Sequence, residues 1–217
     1  MKIDRVEYAG TLVDPLAPLP EALPQVAFSG RSNVGKSSLI NTLLRRTRKK
    51  LAHVSSTPGK TQALNFFRVN ERFFLVDLPG FGFAQVPAAV REGWQDLIEG
   101  YLARDDGPLG AVHLVDIRRD PTATDLQMLE YLASIELPTL VVFTKVDKLT
   151  HSERTRKVKS LATGLQLELE QVIPFSSKTG EGREELLEAL DALLGAGETI
   201  GGAPAGDGGA REDGEEE

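Results

Sequence analysis

The first residues with chemistry in their spacing are Gly30, Arg31, Ser32, Asn33, Val34, Gly35, Lys36 and Ser37. They satisfy the pattern G-x-x-x-x-G-K-[ST] without a mismatch. Glycines at those positions let successive backbone N–H groups turn inward around a polyphosphate, and a helix that follows adds its positive end to the same anion. Lys36 would then reach the outer phosphates, and the Ser37 hydroxyl would ligate magnesium. The alternative is a glycine-rich turn with a chance Lys-Ser.

Three further clusters each follow a short apolar run. Phe73-Phe74-Leu75-Val76 ends in Asp77, Leu78, Pro79 and Gly80. There a carboxylate can hold magnesium through water, and a glycine N–H can meet a γ-phosphate. Leu140-Val141-Val142-Phe143 ends in Thr144, Lys145, Val146 and Asp147. A carboxylate in the plane of guanine can accept from its ring N–H and its amine together, a donor pair that adenine lacks. Lys145 can lay its aliphatic stem over the base. Val172-Ile173-Pro174-Phe175 ends in Ser176, Ser177 and Lys178, a loop that can offer N–H groups to the guanine carbonyl. Each cluster alone reads equally well as a polar turn. Together and in order they describe a guanine-nucleotide site that binds GTP or GDP.

The elements needed to position these clusters are legible. Residues 25–29 read as a buried strand and 37–44 as an amphipathic helix. Strands over 64–69 and 72–77, joined by Asn70-Glu71, read as an antiparallel hairpin. Helices are expected over 87–103, from a Thr122 or Thr124 cap to 135, over 152–162 and over 183–194, with strands over 110–116, 140–143 and 172–175. The expectation is an α/β fold: a mostly parallel six-stranded sheet with one antiparallel strand and helices on both faces. Ligands then collect at the carboxyl ends of the strands. Residues 1–24 read as a lead-in that is partly strand, near 3–8. Residues 25–194 form the nucleotide domain, and 195–217 an acidic, glycine-rich tail expected to be disordered.

The net charge of −7 over 217 residues is uneven. Residues 198–217 hold seven acids and one base, so the rest of the chain carries only −1. It is free to hold basic patches such as 45–50, which has five bases in six residues. That run is either a solvated helix end or an RNA-facing patch. There is no cysteine, hence no thiol chemistry and no disulfide. No apolar run reaches membrane-spanning length and the N-terminus has no secretory h-region, so the expectation is a soluble, cytoplasmic protein. His113 lies inside a strand and reads as a core residue rather than a ligand.

The set GRSNVGKS, DLPG, TKVD and SSK resembles the five-motif GTPases of the translation-factor-related class. STPGKTQALNFF followed by FFLVDLPGFGFAQV is similar to the EngB (YihA/YsxC) group of the TrmE-Era-EngA-EngB-septin-like GTPases. The resemblance spans about residues 5–194. It implies a Ras-like P-loop GTPase domain, magnesium, and a switch role in assembly of the large ribosomal subunit with its rRNA and proteins. It also implies a role in division septation, and a monomer. By match, Lys36, Thr61 and Gly80 would be catalytic, and Ser37 and Thr61 the magnesium ligands, with Thr57 a rival for the latter. Gly59, Lys60, Thr61, Gln62 and Ala63, with 77–80, would sense the γ-phosphate. Thr144, Lys145, Val146 and Asp147 would read the base above Phe175, Ser176 and Ser177. One departure is Thr144, where Asn is commoner among GTPases although EngB-like proteins share Thr; it puts a bond to the neighbouring loop in doubt. Another is Phe81, where many GTPases carry a water-orienting Gln. Slow unaided turnover follows, with help from a partner or from potassium at Asn33; the alternative for Asn33 is loop stabilisation. Phe81 and Phe83 either form a nucleotide-dependent face or pack on the following helix.

Overall fold

The computed structural model describes residues 1–44, 63–81 and 88–200, with the backbone alone at 88–92, 94 and 197–200. Residues 57, 59–62 and 83, the 45–50 run and the acidic tail from 201 lie outside the described residues. The strands are β1 (Val6–Leu12), β2 (Gln25–Gly30), β3 (Leu64–Val69), β4 (Phe73–Asp77), β5 (Gly110–Asp116), β6 (Thr139–Thr144) and β7 (Val172–Phe175). The helices are α1 (Lys36–Leu43), α2 (Ala88–Leu102), α3 (Ala123–Ser134), α4 (His151–Gly164) and α5 (Arg183–Ile200).

All seven strands join one sheet in the order β1-β3-β4-β2-β5-β6-β7. Among the described residues only β3 runs against its neighbours, pairing antiparallel with both β1 and β4, and the expected six strands become seven. The seventh is the lead-in, whose β1 docks on the outer edge of β3. Its placement is fixed by Asn70, whose Oδ1 accepts from the N–H of Asp4 at 2.8 Å and of Arg5 at 3.0 Å. Asn70 and Glu71 both have positive φ, 51° and 57°, as a type I′ hairpin turn requires.

The alternation along β2 sorts the two faces. Val26 and Phe28 join the cluster that α1 and α5 cover through Leu39, Ile40, Leu43, Leu186, Leu187 and Leu190. Ala27 faces the other way, into the cluster closed by Leu97, Ile98 and Tyr101 of α2 and Leu132 of α3. α4 covers the same side further along, with Leu161 and Ala162 over Val141 and Phe143. Thr122 and Thr150 begin α3 and α4 with reciprocal capping boxes to Asp125 and Glu153. α5 runs to Ile200, past the expected end at Leu194. Gly195 and Gly197 lower helix propensity, but no proline interrupts the backbone before Pro204.

Candidate nucleotide site

The carboxyl ends of β2, β4, β5, β6 and β7 bring the sequence-predicted clusters together. Phosphate-loop residues 31–35 leave β2 and enter α1 at Lys36, with Gly35 as the N-cap at φ 108°, a conformation that favours glycine. Asn33 takes φ 62°, the left-handed region that Asn tolerates. Lys36 is buried. Its ammonium pairs with the Asp77 carboxylate and donates to the Leu78 carbonyl at 2.6 Å. Ser37, half-buried, opens α1 next to it.

Residues 77–81 lie directly against this loop. The Ser32 N–H donates to the Phe81 carbonyl at 2.9 Å, and Arg31 bridges Phe81 in parallel. A Cβ on Gly80 would stand 3.3 Å from Ser32 Cα and 3.4 Å from Ser32 N, so the close approach calls for glycine. The Phe81 ring is buried and stacks on the His113 ring, centroids 5.9 Å apart and planes 10° from parallel. His113 is fully buried in β5. Its Nδ1 is 2.9 Å from the Ser29 hydroxyl, and its Nε2 is 3.9 Å from Asp125. Burial holds its pKa down to about 4, with Asp125 opposing, so the ring is neutral near pH 7. His113 is a core residue, and Phe81 is a core-facing one.

At the base end, Thr144 donates its hydroxyl to the Val34 carbonyl at 2.7 Å and lies 3.2 Å from the Val115 carbonyl. The bond to the phosphate loop that a Thr in place of Asn put in doubt is made. Lys145 begins a short 3-10 turn, Val146–Lys148, that presents Asp147. The Lys145 ammonium donates to the Asn33 carbonyl at 2.5 Å. Ser176, fully buried, accepts N–H bonds from Lys178 and Thr179, both at 3.2 Å, and donates its hydroxyl to Asp147 Oδ1 at 2.8 Å. Asp147 Oδ2 is buried with no hydrogen-bond partner among the described residues, and Lys148 is 3.6 Å away. Burial pushes the Asp147 pKa up, but the Ser176 hydrogen bond and the Lys148 charge outweigh it, so the carboxyl lies below the usual range. An ionised, oriented carboxylate with one idle buried oxygen suits a ligand that brings its own N–H donors. Phe175 and Val146 are buried nearby in the core, and Ser177 is half-buried with its carbonyl 3.4 Å from the Thr42 hydroxyl.

Sequence reasoning missed two residues here. Asp116 ends β5 and is bound by Lys145 and by Arg118. Arg183 is buried and donates to the Thr42 and Leu43 carbonyls, which satisfies the open end of α1. Asp116 had a signal: like Asp77 and Asp147, it stands at or just past the end of an apolar strand run.

The donor set also bears on a metal. Among the described residues no group of three or more His, Asp or Glu could hold an ion. A hydroxyl at the start of α1 with Asp77 close to Lys36 is a sparse oxygen set. That fits magnesium, which keeps waters and leans on nucleotide phosphates rather than on a protein cage.

A family model described as "50S ribosome-binding GTPase" matches residues 25–145. The chain is 47% identical over 195 residues to "Probable GTP-binding protein EngB" of Gemmatimonas aurantiaca, covering 89% of this chain and 95% of that one. It belongs to the EngB family of GTP-binding proteins. It is 50% identical over 195 residues to the protein of that name from Syntrophus aciditrophicus, covering 90% and 98%. A crystal structure of a probable GTP-binding protein EngB superposes with a TM-score of 0.65 at 28% identity, over 79% of this chain and 99% of that one. Era, solved with MgGDPNP and a stretch of 16S ribosomal RNA, gives a TM-score of 0.61 at 20% identity, covering 88% of this chain and 60% of that one; it shares the fold. As an EngB-family member the chain binds GTP and GDP in a Ras-like P-loop fold. Among the described residues no helix is long and apolar enough to cross a membrane.

Proposed function

We propose that the chain is a magnesium-dependent GTPase, monomeric and cytoplasmic, that serves as a switch in large ribosomal subunit assembly and has a part in division septation. The observation that carries the nucleotide half is Asp147, ionised, oriented by Ser176 and left with one buried oxygen to satisfy. The ribosomal half is supported by the family description, a 50S ribosome-binding GTPase. Septation rests on the family resemblance alone.

The residues supply the steps. Glycines 30 and 35 and the N–H groups of 31–35 cradle the phosphates. Lys36 exchanges the Asp77 carboxylate and Leu78 carbonyl for outer phosphate oxygens, where its charge offsets what develops on the leaving group. Ser37 and Thr61 would hold magnesium, which when bound would neutralise phosphate charge. Gly80 would offer its N–H to the γ-phosphate, which Gly59, Lys60, Thr61, Gln62 and Ala63 would also sense. Asp147 accepts the guanine N–H donors while Lys145 covers one face of the base. Phe81 cannot orient a water, and its ring is committed to His113. Unaided turnover is therefore slow, and a partner completes the site.

The test is GTP turnover by the full chain with and without purified large-subunit precursors, in potassium and in sodium buffer. Strong acceleration by the particle supports the switch. GTP-dependent binding without acceleration favours a nucleotide-gated binding module, a reading the Phe81 position also suits. A particle that neither binds the chain nor accelerates its turnover removes the ribosomal role. Equal rates in the two salts remove potassium at Asn33.

A further inference from the structure

Asp116 closes β5, and no motif of the sequence claims it. Its carboxylate is 9% exposed, yet four N–H bonds reach it. Oδ2 accepts from the Lys145 ammonium at 2.8 Å and from an Arg118 guanidinium nitrogen at 2.7 Å. Oδ1 accepts from Arg118 Nε at 2.9 Å and from the Arg118 backbone N–H at 3.1 Å. Burial opposes the charge, but the Arg118 and Lys145 bonds prevail and hold the carboxyl down to about 2. The anion therefore persists at any pH the fold meets.

The Lys145 ammonium is thus held from two sides, by the end of β5 and by the Asn33 carbonyl of the phosphate loop. Its backbone is set by φ 65° at the start of the 3-10 turn. With both ends fixed, the four-carbon stem has little freedom left. Lys145 Cε lies 3.6 Å from where a Cβ on Gly35 would stand. A lysine stem has several rotatable bonds and loses much of their rotamer freedom on being ordered. Fixing it beforehand removes that cost from nucleotide binding.

We propose that Asp116 is a positioning residue for guanine recognition: its carboxylate holds the Lys145 ammonium on the phosphate loop, so that the Lys145 stem is laid out for the base before nucleotide arrives. The inference rests on the reading that Lys145 and Asp147 contact guanine. Arg118, 41% exposed, shares the single carboxylate with Lys145 and need not touch the nucleotide.

The experiment is steady-state GTP hydrolysis and GDP titration with the full chain carrying Asp116→Asn, Lys145→Ala or both. Asp116→Asn should raise KM and the GDP Kd about tenfold, the scale of a lost charge-assisted hydrogen bond, with kcat at saturating GTP within about twofold. In the Lys145→Ala background the same change should add less than about twofold. An unchanged KM, or an equal cost in both backgrounds, overturns the proposal, because a purely architectural Asp116 would act regardless of Lys145. Should Asp116→Asn not fold, Asp116→Glu keeps the charges paired but displaces the ammonium. A KM rise at constant kcat supports the proposal there, and an unchanged KM overturns it. If Lys145→Ala itself leaves GDP affinity untouched, the guanine reading fails. If it weakens binding and Asp116→Asn does not, only the present inference fails.

Discussion

The two ends of the nucleotide site are built from different materials. At the base end three polar side chains are each held by another fixed group: Asp147 by Ser176, Lys145 by Asp116 and Asn33, Thr144 by Val34. At the phosphate end the parts are glycines, backbone N–H groups and one lysine whose ammonium sits on Asp77 and the Leu78 carbonyl. The first arrangement can greet a ligand without moving. The second must exchange partners to do so, because the Lys36 ammonium has to leave a carboxylate for a phosphate. In the proposed function, recognition of the base is preorganised, whereas response to the phosphates would require a rearrangement that GTP and GDP drive to different extents.

The largest effect should come from the preorganised end. Asp147→Asn swaps an acceptor for a donor opposite the guanine N–H groups. GTP and GDP affinity should both fall by about a thousandfold, while a xanthine nucleotide, with a carbonyl where guanine has its amine, should gain. Titration with both bases reads this, and a selective loss of GTP alone would break the comparison. Next is Lys36→Ala at the other end. Removing a cation that meets developing charge should lower kcat by about a hundredfold, measured in single-turnover GTP hydrolysis. An unchanged rate at saturation would mean the lysine only binds.

Smaller effects sharpen the contrast. Gly80→Ala puts a methyl group 3.3 Å from Ser32 Cα. It should push residues 77–81 off the phosphate loop and lower turnover by about tenfold, with GDP affinity nearly unchanged, because a diphosphate does not use the Gly80 N–H. The smallest effect concerns the core beneath Phe81. His113 has a folded pKa of about 4 against an ordinary 6.5, so the unfolded chain binds more protons between those values. Its contribution is therefore complete above pH 6.5 and lost as pH falls towards 4. Thermal unfolding across that window should show a falling Tm whose slope is reduced in His113→Leu.

What the sequence made legible follows the same division. The phosphate loop, Asp77 to Gly80, Thr144 to Asp147 and Ser176 are contiguous stretches at strand ends, and short apolar runs and helical patterns placed six strands and five helices around them. Asp116 shared the strand-end signal, but its role was not legible. Its partner Lys145 stands one residue past the end of β6, and such a pairing exists only after β5 and β6 have aligned. The Phe81–His113 stack and the docking of β1 were hidden for the same reason. Val6 pairs with Val69, and nothing in either local stretch names the other. The uncertainty over Thr144 was a question of hydroxyl reach, which only the position of the Val34 carbonyl could answer.

The sheet order also governs how the molecule can be made on a ribosome. β2 emerges early and carries the phosphate loop, yet its neighbours in the sheet, β4 and β5, both come later in the chain. The β3–β4 hairpin, closed by its two-residue turn, can form locally within microseconds of leaving the tunnel. β2 gains its second flank only once Asp116 has been synthesised and freed. A nascent chain stalled before that point has its phosphate loop translated but unsupported. Because Asp147 and the Ser176 that orients it come later still, recognition of the base waits until about four-fifths of the polypeptide exists, however early the phosphate-loop signature was encoded.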